Sequence, residues 1–128
     1  MDALLRRFSG LAGLPRLDFG VRATPVEPLD VAGLPVFVKR DDRVGGNKVR
    51  CLEFLLAPPP RRVLTVSSLS AHHAYATAAR CRELGVPCAC ILVRRGRPGP
   101  ALDALLETGA RVVRARGGAG AVLAAARL

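Results

Sequence analysis

Lys48 is a residue whose type and setting could do covalent chemistry. It follows Gly45-Gly46-Asn47, where the glycines permit a tight backbone and Asn47 is a favourable N-cap for a helix. A lysine in the first helical turn opposes the helix dipole, and such departures from local rules cluster at functional sites. The chain has 18 arginines but two lysines, Lys39 and Lys48. Because an amine forms a Schiff base and a guanidinium does not, Lys48 is a candidate for covalent catalysis, and a solvated loop lysine is the alternative.

A second polar segment is Ser67-Ser68-Leu69-Ser70-Ala71-His72-His73. It precedes a predicted helix, whose N-terminal N–H groups can bind an anion such as a carboxylate. His72 and His73 diverge by about 100° on a helix, so they form a poor metal chelate. A nucleophilic serine would need a strained turn such as GxSxG, which the sequence lacks. The segment therefore predicts anion binding and no metal site.

Both segments fall at equivalent places in a repeating pattern of strands and helices. Apolar runs predict strands at 36–39, 62–66, 88–93 and 111–115. Helical patterns ended by Gly or Pro predict helices at 49–57, 71–84 and 100–108. Such repeats require parallel pairing with right-handed crossovers. We expect an irregular segment, 1–34, and an α/β domain, 35–128, with an open, mainly parallel sheet of about four strands whose carboxyl ends bind ligands.

Charge and cysteine content limit the classes of function. The net charge of +10 would suit a polyanion, but the arginines are spread along the chain and only 4% of residues are aromatic. Nucleic-acid binding is therefore not favoured. The longest uncharged stretch, 63–79, is too polar for a membrane span, and the N-terminus has charges where a signal peptide is apolar. We expect a cytoplasmic protein with no membrane partner, whose four cysteines are small buried hydrophobes without disulfides.

Four short motifs resemble one enzyme family. They are Thr24–Leu29, Phe37–Asp42, Gly45–Arg50 and Leu52–Leu56. In this order and spacing they resemble the pyridoxal-phosphate-dependent 1-aminocyclopropane-1-carboxylate deaminase and D-cysteine desulfhydrase family, which has the tryptophan synthase β-like fold (fold type II). The resemblance extends to about residue 113. It implies pyridoxal 5′-phosphate as the cofactor and Lys48 as the lysine that forms its Schiff base, with Asn47 and His72 also in cofactor-binding positions.

The segment 67–73 departs from the family pattern GG-x-QSNH, which meets the substrate carboxylate and the pyridoxal ring. In an alignment without gaps His73 matches, serines replace the glycines and the glutamine, and Ala71 replaces the family serine. A methyl group cannot donate a hydrogen bond or move a proton, so Ser70 or His72 must take over that role if it is kept. The substrate-binding positions implied by the resemblance are Ser70, Ala71, His72 and His73.

Family enzymes continue well beyond this length, through a glycine- and serine-rich loop for the cofactor phosphate and a group that faces the pyridine nitrogen. Neither has a counterpart in the 128 residues. We therefore expect the N-terminal piece of a deaminase- or desulfhydrase-type lyase that acts on a small amino acid, with self-association left open. The alternatives are a non-catalytic remnant or association module that does not hold the cofactor alone, and a basic nucleic-acid-binding module.

Overall fold

The computed structural model describes residues 3–21 and 23–127, with strands and helices in alternation after residue 62. The helices are α1 (Ala3–Arg7), α2 (Val49–Leu55), α3 (His72–Glu83), α4 (Pro100–Glu107) and α5 (Gly118–Ala125). The strands are β1 (Val26–Val31), β2 (Leu34–Lys39), β3 (Val63–Ser68), β4 (Cys88–Val93) and β5 (Arg111–Ala115). Short 3₁₀ helices lie at Ser9–Leu11 and Asp41–Val44. None of the described helices is long and apolar enough to cross a membrane.

The central layer is a parallel sheet with the strand order β3-β4-β5. Val63 pairs with Cys88, and Ala89 pairs with Arg111. Helices α3 and α4 connect these strands, as parallel pairing requires. The predicted α/β class is confirmed, and β4 and β5 have the bounds that the apolar runs predicted.

Residues 36–39 do form a strand, but their expected place in the parallel sheet was wrong. Strand β2 pairs with β1 in an antiparallel hairpin, so the parallel sheet has three strands. A two-residue turn, Ala32-Gly33, joins them with both φ angles positive, and no helix intervenes to make a parallel pair. Strand β1 lies within the segment that we expected to be irregular, and the domain division at residue 35 stays a prediction.

The two faces of the parallel sheet are covered unequally. On one face α3 and α4 contribute Ala74, Ala78 and Leu105 to a cluster with Cys90 and Leu92 of β4. Small alanine side chains let α3 approach the sheet closely. On the other face α5 covers Ile91 and Ala115. Leu64 and Val66 of β3, which are 45% and 50% exposed, extend this second face into solvent.

All four cysteines are free, as expected. Cys81 and Cys90 are buried, and burial raises the pKa of the Cys81 thiol to about 12. Cys88 is partly buried. The expectation of burial was wrong for Cys51, which is exposed on α2 and donates to the carbonyl oxygen of Lys48 over 2.9 Å.

The carboxylate of Glu53 ties the N-terminal segment to α2. Glu53 is 1% exposed. Its Oε2 accepts a hydrogen bond from Arg16 Nε at 2.8 Å, and its Oε1 accepts one from the Phe19 backbone N–H at 3.3 Å. The Leu17 N–H donates to the Glu53 carbonyl oxygen at 2.8 Å. A buried charge is stable in a protein only when it is paired in this way.

We expect Arg16→Ala to lower the free energy of unfolding by about 2–4 kcal/mol, because it leaves Glu53 buried without its cation. The loss is smaller than for a fully buried pair, since the Arg16 side chain is 26% exposed. Urea unfolding measures it. In the Arg16→Ala background, Glu53→Gln should recover part of the loss. Arg43→Ala, which breaks an exposed pair with Glu27, is the control and should cost under about 1 kcal/mol; an equal loss in both variants would contradict the assignment.

Candidate active site

Lys48 lies at the start of α2, after a tight loop. Gly45 and Gly46 have φ angles of 85° and 91°, which a residue with a Cβ rarely adopts. The expectation that Asn47 caps the helix was wrong. Lys48 itself occupies the N-cap position and makes no side-chain capping bond, while its carbonyl oxygen accepts from the Leu52 N–H at 3.2 Å. The helix begins one residue later than the predicted cap at Asn47 requires, so Asn47 stays in the loop and is exposed.

The two lysine amines have different surroundings. The Lys48 side chain is exposed, and within the described residues its amine has no hydrogen bond or ion pair. Lys39, in contrast, donates to both the Asp41 carboxylate and the Thr24 hydroxyl. A reaction at Lys39 must break these contacts, whereas the Lys48 amine is available.

Asp41 organises the loop that precedes Lys48. Its Oδ1 accepts from Lys39, from the Thr24 hydroxyl at 2.6 Å and from Arg50 Nη2 at 3.2 Å. Its carbonyl oxygen accepts from the Gly46 N–H at 2.8 Å. The Lys39 ammonium, followed by the Thr24 hydroxyl, holds the pKa of the Asp41 carboxyl well below its usual range. The sequence did not indicate this role for Asp41, although the residue lies within one of the four motifs.

The same loop is joined to the hairpin through Glu27 of β1. Arg40 and Arg43 both form ion pairs with the Glu27 carboxylate. Arg40 also donates two hydrogen bonds to Asp42, and this partner holds the pKa of the Asp42 carboxyl below its usual range. Glu27 comes from the first motif, and Arg40 and Asp42 come from the second; together with Arg43 they form one polar network around the loop.

The segment after β3 brings two of the predicted serines together. Ser68 Oγ and Ser70 Oγ are 2.6 Å apart, and the Leu69 N–H donates to the Arg95 carbonyl oxygen at 2.9 Å. Ala71 has a φ of 58° and is fully buried, with its methyl group in the apolar cluster beneath α3. The structure thus leaves the serines of this segment half-buried and places Ala71 within the core.

His72 and His73 begin α3 and face different surroundings. His72 is exposed, while His73 is half-buried and lines a cleft of about 320 Å³ with Leu52 and Leu55 of α2. The N-cap residue of α3 provides no side-chain hydrogen bond. The N–H groups of the first turn are therefore left for an anion or for water.

The loop before Lys48 and the segment 67–73 lie beside α3 at different positions along the helix axis. A Cβ placed on Gly45 would lie 3.4 Å from Arg80 Nη2, so the loop before Lys48 runs beside Arg80. Arg80 follows His72 by eight residues, about 12 Å along the helix axis. Within the described residues, no hydrogen bond or ion pair joins Lys48 or Asn47 to the segment 67–73.

Comparison with known proteins supports the resemblance seen in the motifs. No protein-family model matches the chain. It is 39% identical over 94 residues to D-cysteine desulfhydrase of Yersinia enterocolitica, a match that covers 64% of the chain and 28% of that enzyme. It is 37% identical over 108 residues to a candidate 1-aminocyclopropane-1-carboxylate deaminase of Pyrococcus abyssi, which covers 75% of the chain and 30% of that protein. The resemblance to this family is confirmed.

The fold agrees with the family. The crystal structure of a homologue of 1-aminocyclopropane-1-carboxylate deaminase superposes with a TM-score of 0.75 and 26% identity, over 98% of this chain and 42% of the other. A pyridoxal 5′-phosphate-dependent aspartate racemase shares the fold, with a TM-score of 0.56 and 23% identity over 83% of this chain and 38% of that one. The chain spans 28–30% of the length of the curated D-cysteine desulfhydrase and deaminase relatives.

We expect Asp41→Asn to speed amide hydrogen exchange in residues 42–48 at neutral pH, because it weakens the contacts that order the loop. The pKa of Asp41 is lowered in the folded chain, so its stabilisation is complete above about pH 4 and is lost as the pH falls from there towards the folded value. The exchange difference between wild type and variant should shrink in that range. Asp103→Asn, on the exposed side of α4, is the matched control; a difference that persists unchanged to low pH would contradict this role.

We expect Ala71→Ser to lower the free energy of unfolding by about 1–2 kcal/mol, since it places a hydroxyl group in an apolar cluster. Chemical denaturation measures the change. Ala119→Ser, the same substitution at an exposed position of α5, controls for the added hydroxyl group and should cost about 0.5 kcal/mol. Equal costs at both positions would show that the side chain at position 71 lies at an open site.

Proposed function

We propose that these residues are the N-terminal part of a pyridoxal-phosphate-dependent lyase that eliminates or deaminates a small amino acid. The relatives named D-cysteine desulfhydrase and the motif Gly45–Lys48 support this reaction class. The observation that carries the proposal is the Lys48 amine, which is exposed and without a polar partner in the described residues, at the end of a loop ordered by Asp41. A cytoplasmic location belongs to the same proposal.

The residues present fit covalent attachment of the cofactor. Lys48 is the residue that would form the Schiff base, because its amine can react without breaking a hydrogen bond or an ion pair. Gly45 and Gly46, whose positive φ angles favour glycine, place no side chain in the loop just before it. Asn47, exposed beside it, and His72, exposed at the start of α3, are the other residues that we propose to contact the cofactor.

The segment 67–73 is proposed to bind the substrate. The uncapped first turn of α3, with His72 and His73, would hold the carboxylate of an amino acid through backbone N–H groups. Ser70, paired with Ser68, is a further group that we propose to bind the substrate, while position 71 offers only a buried methyl group. Pyridoxal phosphate, when bound, supplies the electron sink, and the chain supplies binding, orientation and a proton carrier. We propose that Lys48 carries that proton once its amine is free.

Elimination is the activity favoured over opening of a cyclopropane ring. Loss of a proton-transfer group typically costs ~10²–10⁴-fold in rate, and the ring opening needs more such help than departure of a good thiol leaving group. Position 71 carries a methyl group, so we propose a β-substituted amino acid as the substrate class.

Borohydride trapping tests the role of Lys48. The 128-residue chain is incubated with pyridoxal phosphate, reduced with borohydride and mapped by peptide mass spectrometry. We expect the label on Lys48 in preference to Lys39, because the Lys39 amine is held by Asp41 and Thr24. Lys48→Arg should abolish this label, and Lys39→Arg, the matched control, should retain it. Label chiefly on Lys39, or spread equally, would refute the assignment.

The amount of label tests the extent of the site. Without a loop for the cofactor phosphate, we expect labelling of this chain to be slow and substoichiometric, as followed by absorbance and intact mass. A stable yellow one-to-one complex would show that these residues hold the cofactor by themselves. Complete failure to label Lys48 at high cofactor concentration would favour the non-catalytic alternative.

A further inference from the structure

Three arginines lie close together at the carboxyl end of the parallel sheet. Leu92 of β4 pairs with Arg114 of β5. Arg94 follows Leu92 by two positions, and Arg116 follows Arg114 by two positions. The Arg94 N–H donates to the Ala115 carbonyl oxygen at 3.0 Å, so the strands remain side by side there. All three arginine side chains line the same cleft as Leu92.

These side chains surround a cleft of about 400 Å³. Its apolar walls come from Leu69, Leu92 and Pro98, and its charged walls come from Arg94, Arg114 and Arg116. A concave site with apolar walls and a few convergent polar groups is typical of small-molecule binding. Leu69 lies between Ser68 and Ser70, so the cleft is next to the segment proposed to bind the substrate.

The charge of the cleft is not neutralised by the protein. Within residues 3–21 and 23–127, no carboxylate forms an ion pair with Arg94, Arg114 or Arg116. Arginines elsewhere in the chain, such as Arg16 and Arg40, do have carboxylate partners. Neighbouring guanidinium groups repel one another, and an anion between them would offset that repulsion. The planar guanidinium group of an arginine can also donate two parallel hydrogen bonds to one phosphate or carboxylate group.

We propose that this cleft binds a small molecule carrying at least two negative charges, as a phosphate or polycarboxylate group. The cleft is bounded by apolar side chains and has the size of a small ligand, while its lining offers no aromatic side chain on which a base could stack. A small anion therefore fits it better than a nucleic acid. The proposed anion site does not depend on the role of Lys48, so borohydride trapping and anion titration can fail separately.

Calorimetric titration of the 128-residue chain in low-salt buffer tests the cleft, with pyrophosphate, citrate and a short DNA duplex as probes. We expect pyrophosphate or citrate to bind at one site and to shift the backbone amide resonances of residues 92–95 and 114–116. The double variant Arg114→Gln/Arg116→Gln should weaken binding by about ten-fold or more. Arg114→Lys/Arg116→Lys, which keeps the charge, should recover part of that loss if the planar fork matters.

Arg111→Gln is the matched control, because Arg111 lies on the same strand at the opposite end of the sheet. We expect its affinity for the probes to stay within about two-fold of wild type, as for a distant surface change. The ratio of pyrophosphate to citrate affinity distinguishes a phosphate from a carboxylate ligand. The proposal is overturned if neither small anion binds or if Arg111→Gln weakens binding as much as the double variant. DNA binding that is much tighter than small-anion binding and falls steeply with salt would also overturn it.

Discussion

A buried carboxylate, that of Glu53, fixes how the N-terminal segment meets the α/β layers. Helix α2 has only seven residues, and an isolated helix of that length is not stable in water. Leu52 and Leu56 pack in an apolar cluster of the core. Glu53 accepts hydrogen bonds from Arg16 and from the Phe19 N–H, which belong to the N-terminal segment. The position of Lys48 depends on these contacts, because Lys48 is the residue from which α2 begins.

The polar contacts around the loop explain physically why three of the four short motifs act as a unit. Thr24 and Glu27 come from the first motif, Asp41 from the second and Arg50 from the third, and hydrogen bonds or ion pairs connect them to the loop. These four groups are partly exposed to solvent, so each contact alone contributes little to stability. Their joint effect is geometric, since they limit the conformations of a loop whose glycines would otherwise permit many.

Elements and site residues with local signals could be predicted, and those that depend on tertiary contacts could not. Strands β4 and β5 were predicted because they are continuous apolar runs. Strand β1 was missed because Pro28 and Asp30 interrupt its pattern. Since β2 pairs with β1 in a hairpin, β2 is not part of the parallel sheet. Lys48 could be proposed because one lysine after two glycines is conspicuous among 18 arginines. The partners of Asp41 could not, since they reach it only through the fold. Nor could the burial of Ala71, which depends on how α3 packs against β4.

The distribution of positive charge adds a constraint that the net charge of +10 does not reveal. In the first half of the described chain, arginines such as Arg16, Arg40 and Arg43 are paired with carboxylates. At the carboxyl end of β4 and β5, the arginines of the cleft have no such partner in the described residues. Parallel strands place these ends on one edge, together with the loop that begins α3. The same topology that forms the core thus concentrates unneutralised positive charge where that loop also offers N–H groups to an anion.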